Sequence, residues 1–247
     1  LWIQDPALNV QQSIDLAKSV GVSCFKTTVN LSKYAGGENA ALKAMTSQGM
    51  RSNLVVSWNG KQGGMFVRDT ATFRAKLKMF LAANKSYNFF AVIEDEVVSD
   101  GFFVDTLQYY VNELKISVEE CHNAGIECTN SGDHIEIGLA LANGVPAHND
   151  NDKDVAFLLN AYRTIPIDYL NLHNGAEEAL SDFTKAVDYM KAASGISKVI
   201  MNAHVFKQGD PNILKTWVNI YKDAGFLFFM PFSGSGADKA PPFNVAG

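Results

Sequence analysis

Three consecutive carboxylates follow a short, strongly apolar segment, and they are the most informative chemical feature of the sequence. The apolar segment covers residues 89–93, and Glu94, Asp95 and Glu96 come directly after it. If the segment is a strand, alternation places Glu94 and Glu96 on one side and Asp95 on the other, unless the strand ends there. Like charges this close repel, so at least one carboxyl is expected to keep its proton to unusually high pH. The triplet therefore predicts a general acid, with a solvated acidic loop as the alternative.

The elements that would position these carboxylates form a regular series. Eight apolar segments rich in Val, Ile and Phe alternate with segments of helical periodicity. They cover residues 1–4, 24–30, 53–57, 89–94, 126–130, 168–173, 198–202 and 226–231. This order implies parallel strands joined by right-handed helical crossovers. At 247 residues, it favours a single (β/α)8 TIM barrel over residues 1–247, with a short first strand. A doubly wound open sheet usually carries a glycine-rich phosphate loop, which this sequence lacks.

Composition excludes several classes of function. The formal net charge of -5 provides no basic face for a phosphate backbone, which argues against nucleic-acid binding. No segment approaches the roughly 18–20 uninterrupted apolar residues of a membrane helix. The three cysteines form no Cys-x-x-Cys pair and are expected to be buried free thiols. The chain begins with Leu1 rather than Met, which is expected of a processed or trimmed chain, so its location is open.

Polar and aromatic residues cluster at the carboxyl ends of the predicted strands, which form the mouth of a (β/α)8 barrel. We take them as the candidate site: Lys26, Trp58, Glu94, Asp95, Glu96, His173, Asn174, Asn202, His204 and Phe232.

The segment Val92-Ile93-Glu94-Asp95-Glu96-Val97 resembles the fourth-strand Asn-Glu motif of clan A glycoside hydrolases, which are retaining enzymes built on this barrel. The resemblance implies that Glu96 is the acid/base. Asp95 stands where the family has Asn, which hydrogen-bonds the sugar hydroxyl next to the reacting carbon. An Asp can accept that bond, but it adds a charge beside Glu96.

Other strand ends are similar to the same family in part. Leu170-Asn171-Leu172-His173-Asn174-Gly175 is similar to the sixth-strand segment that presents a His to the sugar. Lys26 lies near the place of a second-strand Arg, and Trp58 follows the third strand, where an aromatic ring can stack on a sugar. Phe232 lies where the family usually has a Trp that forms the floor of the site. The resemblance therefore implies a carbohydrate as the ligand and no cofactor, and it would fit a secreted or periplasmic protein.

The seventh strand departs from the family at one position. Residues 198–205 resemble the segment that carries the nucleophilic Glu, but that position is Ala203. Retaining hydrolysis requires two carboxyl groups about 5 Å apart, and a methyl group cannot attack a sugar carbon. The sequence therefore predicts a chain that is inactive as written. Either a nucleophile has been replaced to trap a bound sugar, or the sequence has lost, or never had, this chemistry.

Two alternatives remain open from the residues themselves. The first is a metal-dependent barrel enzyme of the isomerase or endonuclease type, with ligands drawn from Glu94 or Glu96, Asp133, His134, His173 and His204. The second is a barrel that binds carbohydrate without cleaving it, with Trp58, His173 and Asn202 as contacts. The sequence specifies neither the sugar nor the oligomeric state.

Overall fold

The computed structural model describes residues 2–3, 11, 14–15, 18, 23–58, 64–98, 103–145, 150–175, 180–204 and 219–233. Within these ranges it describes the backbone alone at 2–3, 25, 150–152, 174–175, 180–181, 202–204 and 228–233. The strands are β1 (Trp2–Ile3), β2 (Cys24–Asn30), β3 (Arg51–Ser57), β4 (Phe89–Ile93), β5 (Cys128–Thr129), β6 (Asp133–His134), β7 (Leu170–Gly175), β8 (Val199–His204) and β9 (Phe226–Ser233). The helices are α1 (Ala40–Ser47), α2 (Thr70–Asn84), α3 (Leu107–Asn123), α4 (Ile135–Ala142), α5 (Asp150–Tyr162) and α6 (Leu180–Ser194).

The strands form a parallel ring. One ladder runs in the order β2-β3-β4-β5, and the other runs β6-β7-β8-β9-β1. Thr129 of β5 pairs with Tyr169, just before β7, and β1 lies beside β2, so the two ladders adjoin at both edges. β5 and β6 are two short parts of one barrel strand, interrupted at residues 130–132. The fold is a (β/α)8 barrel, and each of the eight predicted apolar segments overlaps a strand.

The helices carry the capping and amphipathic signals that the sequence pattern requires. The Asp69 side chain accepts a hydrogen bond from the Thr72 N–H at 3.0 Å, so Asp69 is the N-cap of α2. In α3, residues three or four apart face the sheet: Tyr110, Leu114, Val118 and Cys121 are all buried. No helix in the described part of the chain is long and apolar enough to span a membrane.

The sheet separates two apolar layers. Inside the barrel, Val55, Phe90, Val92, Tyr169 and Ile200 pack together. On the outer face, alternate residues of the same strands pack against the helices: Leu54, Val56, Ala91, Ile93, Val199 and Met201. The interior is therefore filled, and chemistry is possible only at its ends.

The amino-terminal end of the barrel is closed by polar contacts. Arg51 and the Tyr169 hydroxyl both bind the Glu127 carboxylate, and the Arg51 guanidinium lies 5.1 Å from the centre of the Phe90 ring. Burial, together with Glu127, raises the pKa of Tyr169 to about 12, so this hydroxyl stays protonated. The predicted site residues follow the carboxyl ends of the strands, at the other end of the barrel.

Candidate active site

The acidic triplet lies at the end of β4, and its three side chains diverge. The strand ends at Ile93, and the backbone then turns through two residues in the left-handed region, Glu94 at φ +60° and Glu96 at φ +50°. Each such residue costs roughly 1–2 kcal/mol when it is not glycine. The strand ends before the triplet, so the alternation that would place Glu94 and Glu96 on one side does not extend to these residues. Each carboxylate has a different partner.

Glu96 extends across the mouth to the sixth strand of the barrel. Its Oε1 lies 3.0 Å from Nδ1 of His173, and the side chains are 17% and 3% exposed. β4 and β7 are not neighbours in the ring, because the interrupted strand β5–β6 lies between them. The contact therefore joins the acid and the histidine that the sequence analysis placed at the mouth.

The backbone at Gly132 fixes the position of the His173 ring. Gly132 has φ +109°, and a Cβ atom there would lie 2.3 Å from both Cδ2 and Nε2 of the ring. Only glycine leaves this space, so the break between β5 and β6 makes room for the histidine. The His134 ring lies 6.0 Å from the His173 ring, measured between centroids. Sequence reasoning missed Gly132, because its role depends on a contact with another strand.

Asp95 forms an ion pair with Lys26 of β2. The Lys26 ammonium lies 2.8 and 2.9 Å from the two carboxylate oxygens, and the side chains are 6% and 24% exposed for Lys26 and Asp95. The pair compensates the charge that Asp95 would otherwise add beside Glu96. The structure thus brings two of the predicted site residues together, and their charged groups bind each other.

Glu94 turns away from the mouth and meets a second acid, Glu113 of α3. Both carboxyls are fully buried and hydrogen-bonded to each other. Burial, with a smaller effect of Asp95, raises the pKa of Glu94, and burial beside Glu94 raises the pKa of Glu113 well above its usual range. The raised pKa expected within the triplet is therefore found at Glu94, and burial is its main cause.

Glu113 was missed by the sequence analysis, although the sequence contains a signal for it. Glu113 lies three residues after Tyr110 and four before Ser117, on the buried face of α3. A carboxyl on the apolar stripe of an amphipathic helix is rarely left without a partner.

Trp58 follows β3, and its backbone N–H and carbonyl both form hydrogen bonds at the mouth. The Trp58 N–H donates to Oε1 of Glu94 at 2.6 Å, and its carbonyl accepts from the Ser32 N–H at 3.2 Å. The indole packs edge-on against Phe73 of α2, with centroids 5.7 Å apart. This contact directs part of the ring toward the helix layer.

Asp133, a candidate ligand in the metal alternative, is fully buried behind the strand. Its carboxylate accepts from Nδ2 of Asn130 at 2.9 Å and from the Tyr162 hydroxyl of α5 at 3.4 Å. Burial raises its pKa to about 7. Among the residues whose side chains the structure describes, no group of three or more His, Cys, Asp or Glu is arranged to hold a metal ion.

The ends of β7, β8 and β9 align the remaining candidates by register. Asn202 pairs with His173, Ala203 with Asn174 and Pro231, and His204 with Gly175 and Phe232. The side chains of Asn174, Asn202, Ala203, His204 and Phe232 lie outside the described part of the structure. Earlier in β8, Val199 and Met201 pack among the helix-facing residues, and Ile200 packs inside the barrel.

Two solved structures share this fold with the chain. One is a proposed alpha-L-fucosidase from Bacteroides thetaiotaomicron, with 12% identity and a TM-score of 0.58, over 93% of this chain and 80% of that one. The other is the AHE enzyme from Alicyclobacillus herbarius, with 10% identity and a TM-score of 0.56, over 90% of this chain and 76% of that one. These likenesses establish the fold alone. No family model and no curated protein matches the sequence.

Proposed function

We propose that this barrel binds a carbohydrate at its mouth, with Glu96 as the acid/base group and His173 as the residue that orients it. The observation that carries the proposal is the 3.0 Å contact between Glu96 and His173 across the carboxyl ends of β4 and β7. The left-handed backbone at Glu96 supports it, because strained residues persist where the surrounding structure over-determines them, and they cluster at functional sites.

The class of ligand comes from the resemblance to clan A glycoside hydrolases. One of the fold neighbours is named as a proposed alpha-L-fucosidase, and we extend the same class, glycosides, to this chain. With Ala203 at the nucleophile position, the proposal is that the chain as written binds the sugar and does not cleave it by the retaining route.

Restoring a carboxylate opposite Glu96 tests this proposal. Ala203→Glu is the substitution that the resemblance indicates. Asn202→Glu is its companion, because Ile200 faces the interior and alternation gives residue 202 the same face. Both variants, and the double variants that add Glu96→Gln, are assayed on a panel of aryl glycosides with and without azide.

We expect one restored variant to gain hydrolysis by orders of magnitude, since a covalent nucleophile supplies several kcal/mol of transition-state stabilisation. The gain should be lost when Glu96→Gln is added. In the unmodified chain, azide should partly replace the missing carboxylate. If both restored variants fold and stay inactive across the panel, and azide changes nothing, the assignment of the nucleophile position fails.

A further inference from the structure

Two carboxyl groups buried against each other lie beside the mouth. Glu94 is the first residue after β4, and Glu113 comes from the buried face of α3. Two ionised carboxylates cannot hydrogen-bond each other, so their contact requires a proton between them. Oε1 of Glu113 accepts no hydrogen bond from an N–H or hydroxyl group in the described structure, so we infer that it is the atom that donates this proton to Glu94.

The pair joins four elements of the mouth. Glu94 Oε1 accepts from the Trp58 N–H at 2.6 Å, and the same carboxylate binds the Ser57 side chain at the end of β3. Glu113 Oε2 accepts from the Val67 N–H at 3.2 Å, in the segment that leads into α2. The hydrogen bonds of this pair therefore connect the ends of β3 and β4 with the segment at Val67 and with α3.

Glu94 also begins the strained segment that presents Glu96. Both residues have positive φ, and only Asp95 lies between them, itself bound to Lys26. A backbone in this region relaxes unless its neighbours hold it in place. Glu94 is the fully buried residue of this segment, and it is hydrogen-bonded to the Trp58 N–H.

We propose that Glu113 is a positioning residue, whose hydrogen bond to Glu94 holds the strained segment 94–96 and so aims Glu96 at His173. Its relevance to chemistry rests on the proposed function, but the positioning itself does not. Asp95 is a charged group that acts on Glu94, and Lys26 compensates its charge. Without this donor, the Glu94 carboxyl loses one of the bonds that hold it, and the strained segment that begins at Glu94 is free to relax.

Two substitutions separate positioning from general stability. In Glu113→Gln, the amide nitrogen can donate to Glu94 and the amide oxygen can accept from Val67, so both bonds persist. Glu113→Leu keeps the volume but removes the donor. Should Glu113→Leu fail to fold, Glu113→Asp is the milder break, because it withdraws the acid by one methylene group.

The readout is the His173 ring in long-range ¹H–¹⁵N spectra of histidine-labelled protein, without any sugar. We expect Glu113→Leu, or Glu113→Asp, to shift the His173 ring signals, while Glu113→Gln reproduces the wild-type spectrum. His122, bound to Asp168 at the opposite end of the barrel, is the internal control and should not change. A folded Glu113→Leu or Glu113→Asp protein with unchanged His173 signals, or a Glu113→Gln protein that shifts as much as either, would overturn the proposal.

Sugar binding is measured separately. If a glycoside binds the wild type, Glu113→Leu should weaken that binding roughly tenfold or more, and Glu113→Gln should not, because small misplacements of an aligned group are costly. If the His173 readout behaves as expected while no glycoside binds, the positioning role holds and the proposed function fails on its own.

Discussion

The buried carboxylate of Asp133 predicts a strong pH dependence of stability. Its pKa is raised from 3.8 to about 7, and burial is the main cause. Between these values the folded protein binds a proton that the unfolded chain has released, so the free energy of unfolding falls as pH rises. This contribution is fully present below pH 3.8 and is lost by about pH 7.

The size follows from the shift. A difference of about 3 pKa units at 1.36 kcal/mol each gives about 4 kcal/mol. Asp133→Asn replaces the acid with a neutral group of the same shape. Its oxygen can accept from Asn130, and its nitrogen can donate to the Tyr162 hydroxyl. The variant should therefore lack this slope, and it should gain stability relative to the wild type as pH rises.

Urea unfolding of both proteins at a series of pH values measures the effect. Asp182→Asn, which changes an exposed carboxylate in α6, is the matched control and should run parallel to the wild type. Parallel curves for Asp133→Asn and wild type between about pH 4 and pH 7 would refute the reasoning, because the acid would then not be desolvated as the fold implies.

Two further substitutions address the mouth. Gly132→Ala places a methyl group against the His173 ring, at a backbone position with positive φ. We expect this variant to lose about 2–5 kcal/mol of unfolding free energy and to show shifted His173 ring signals. A fully stable variant with unchanged signals would contradict the contact. Lys26→Met leaves the Asp95 charge uncompensated, so a double-mutant cycle with Asp95→Asn should give a coupling of about 1–3 kcal/mol, and a coupling near zero would show that the ion pair does not contribute.

The barrel itself could be predicted from the sequence because each strand carries its own local signal. The strands at 24–30 and 89–93 are apolar segments, because a parallel sheet buries the residues on both of its faces. The helices between strands have recognisable caps, such as Asp69. The prediction that Glu96 and His173 lie at the mouth also followed from strand ends, since parallel strands present their carboxyl ends together.

The details of the site could not be predicted, because they depend on contacts between distant parts of the chain. Nothing local shows that β4 stops at Ile93, so the sequence left the direction of the Glu94 side chain open. The pairing of Glu94 with Glu113, and the fit of His173 against Gly132, are set by the packing of a helix and of a neighbouring strand. The roles of Asn202, Ala203, His204 and Phe232 stay predictions from the resemblance.

The central claim is that a sugar binds where Glu96 meets His173, and histidine ring spectra test it directly. The chain has five histidines, so the spectrum is simple, and His173→Gln assigns the signal. A panel of glycosides is titrated into the labelled protein, with the His122 ring at the closed end of the barrel as the reference. The account predicts that at least one glycoside shifts the His173 signals saturably, leaves His122 unchanged, and binds far more weakly to Glu96→Gln. A panel that leaves His173 unmoved, or a glycoside that binds with equal affinity to Glu96→Gln, would contradict it.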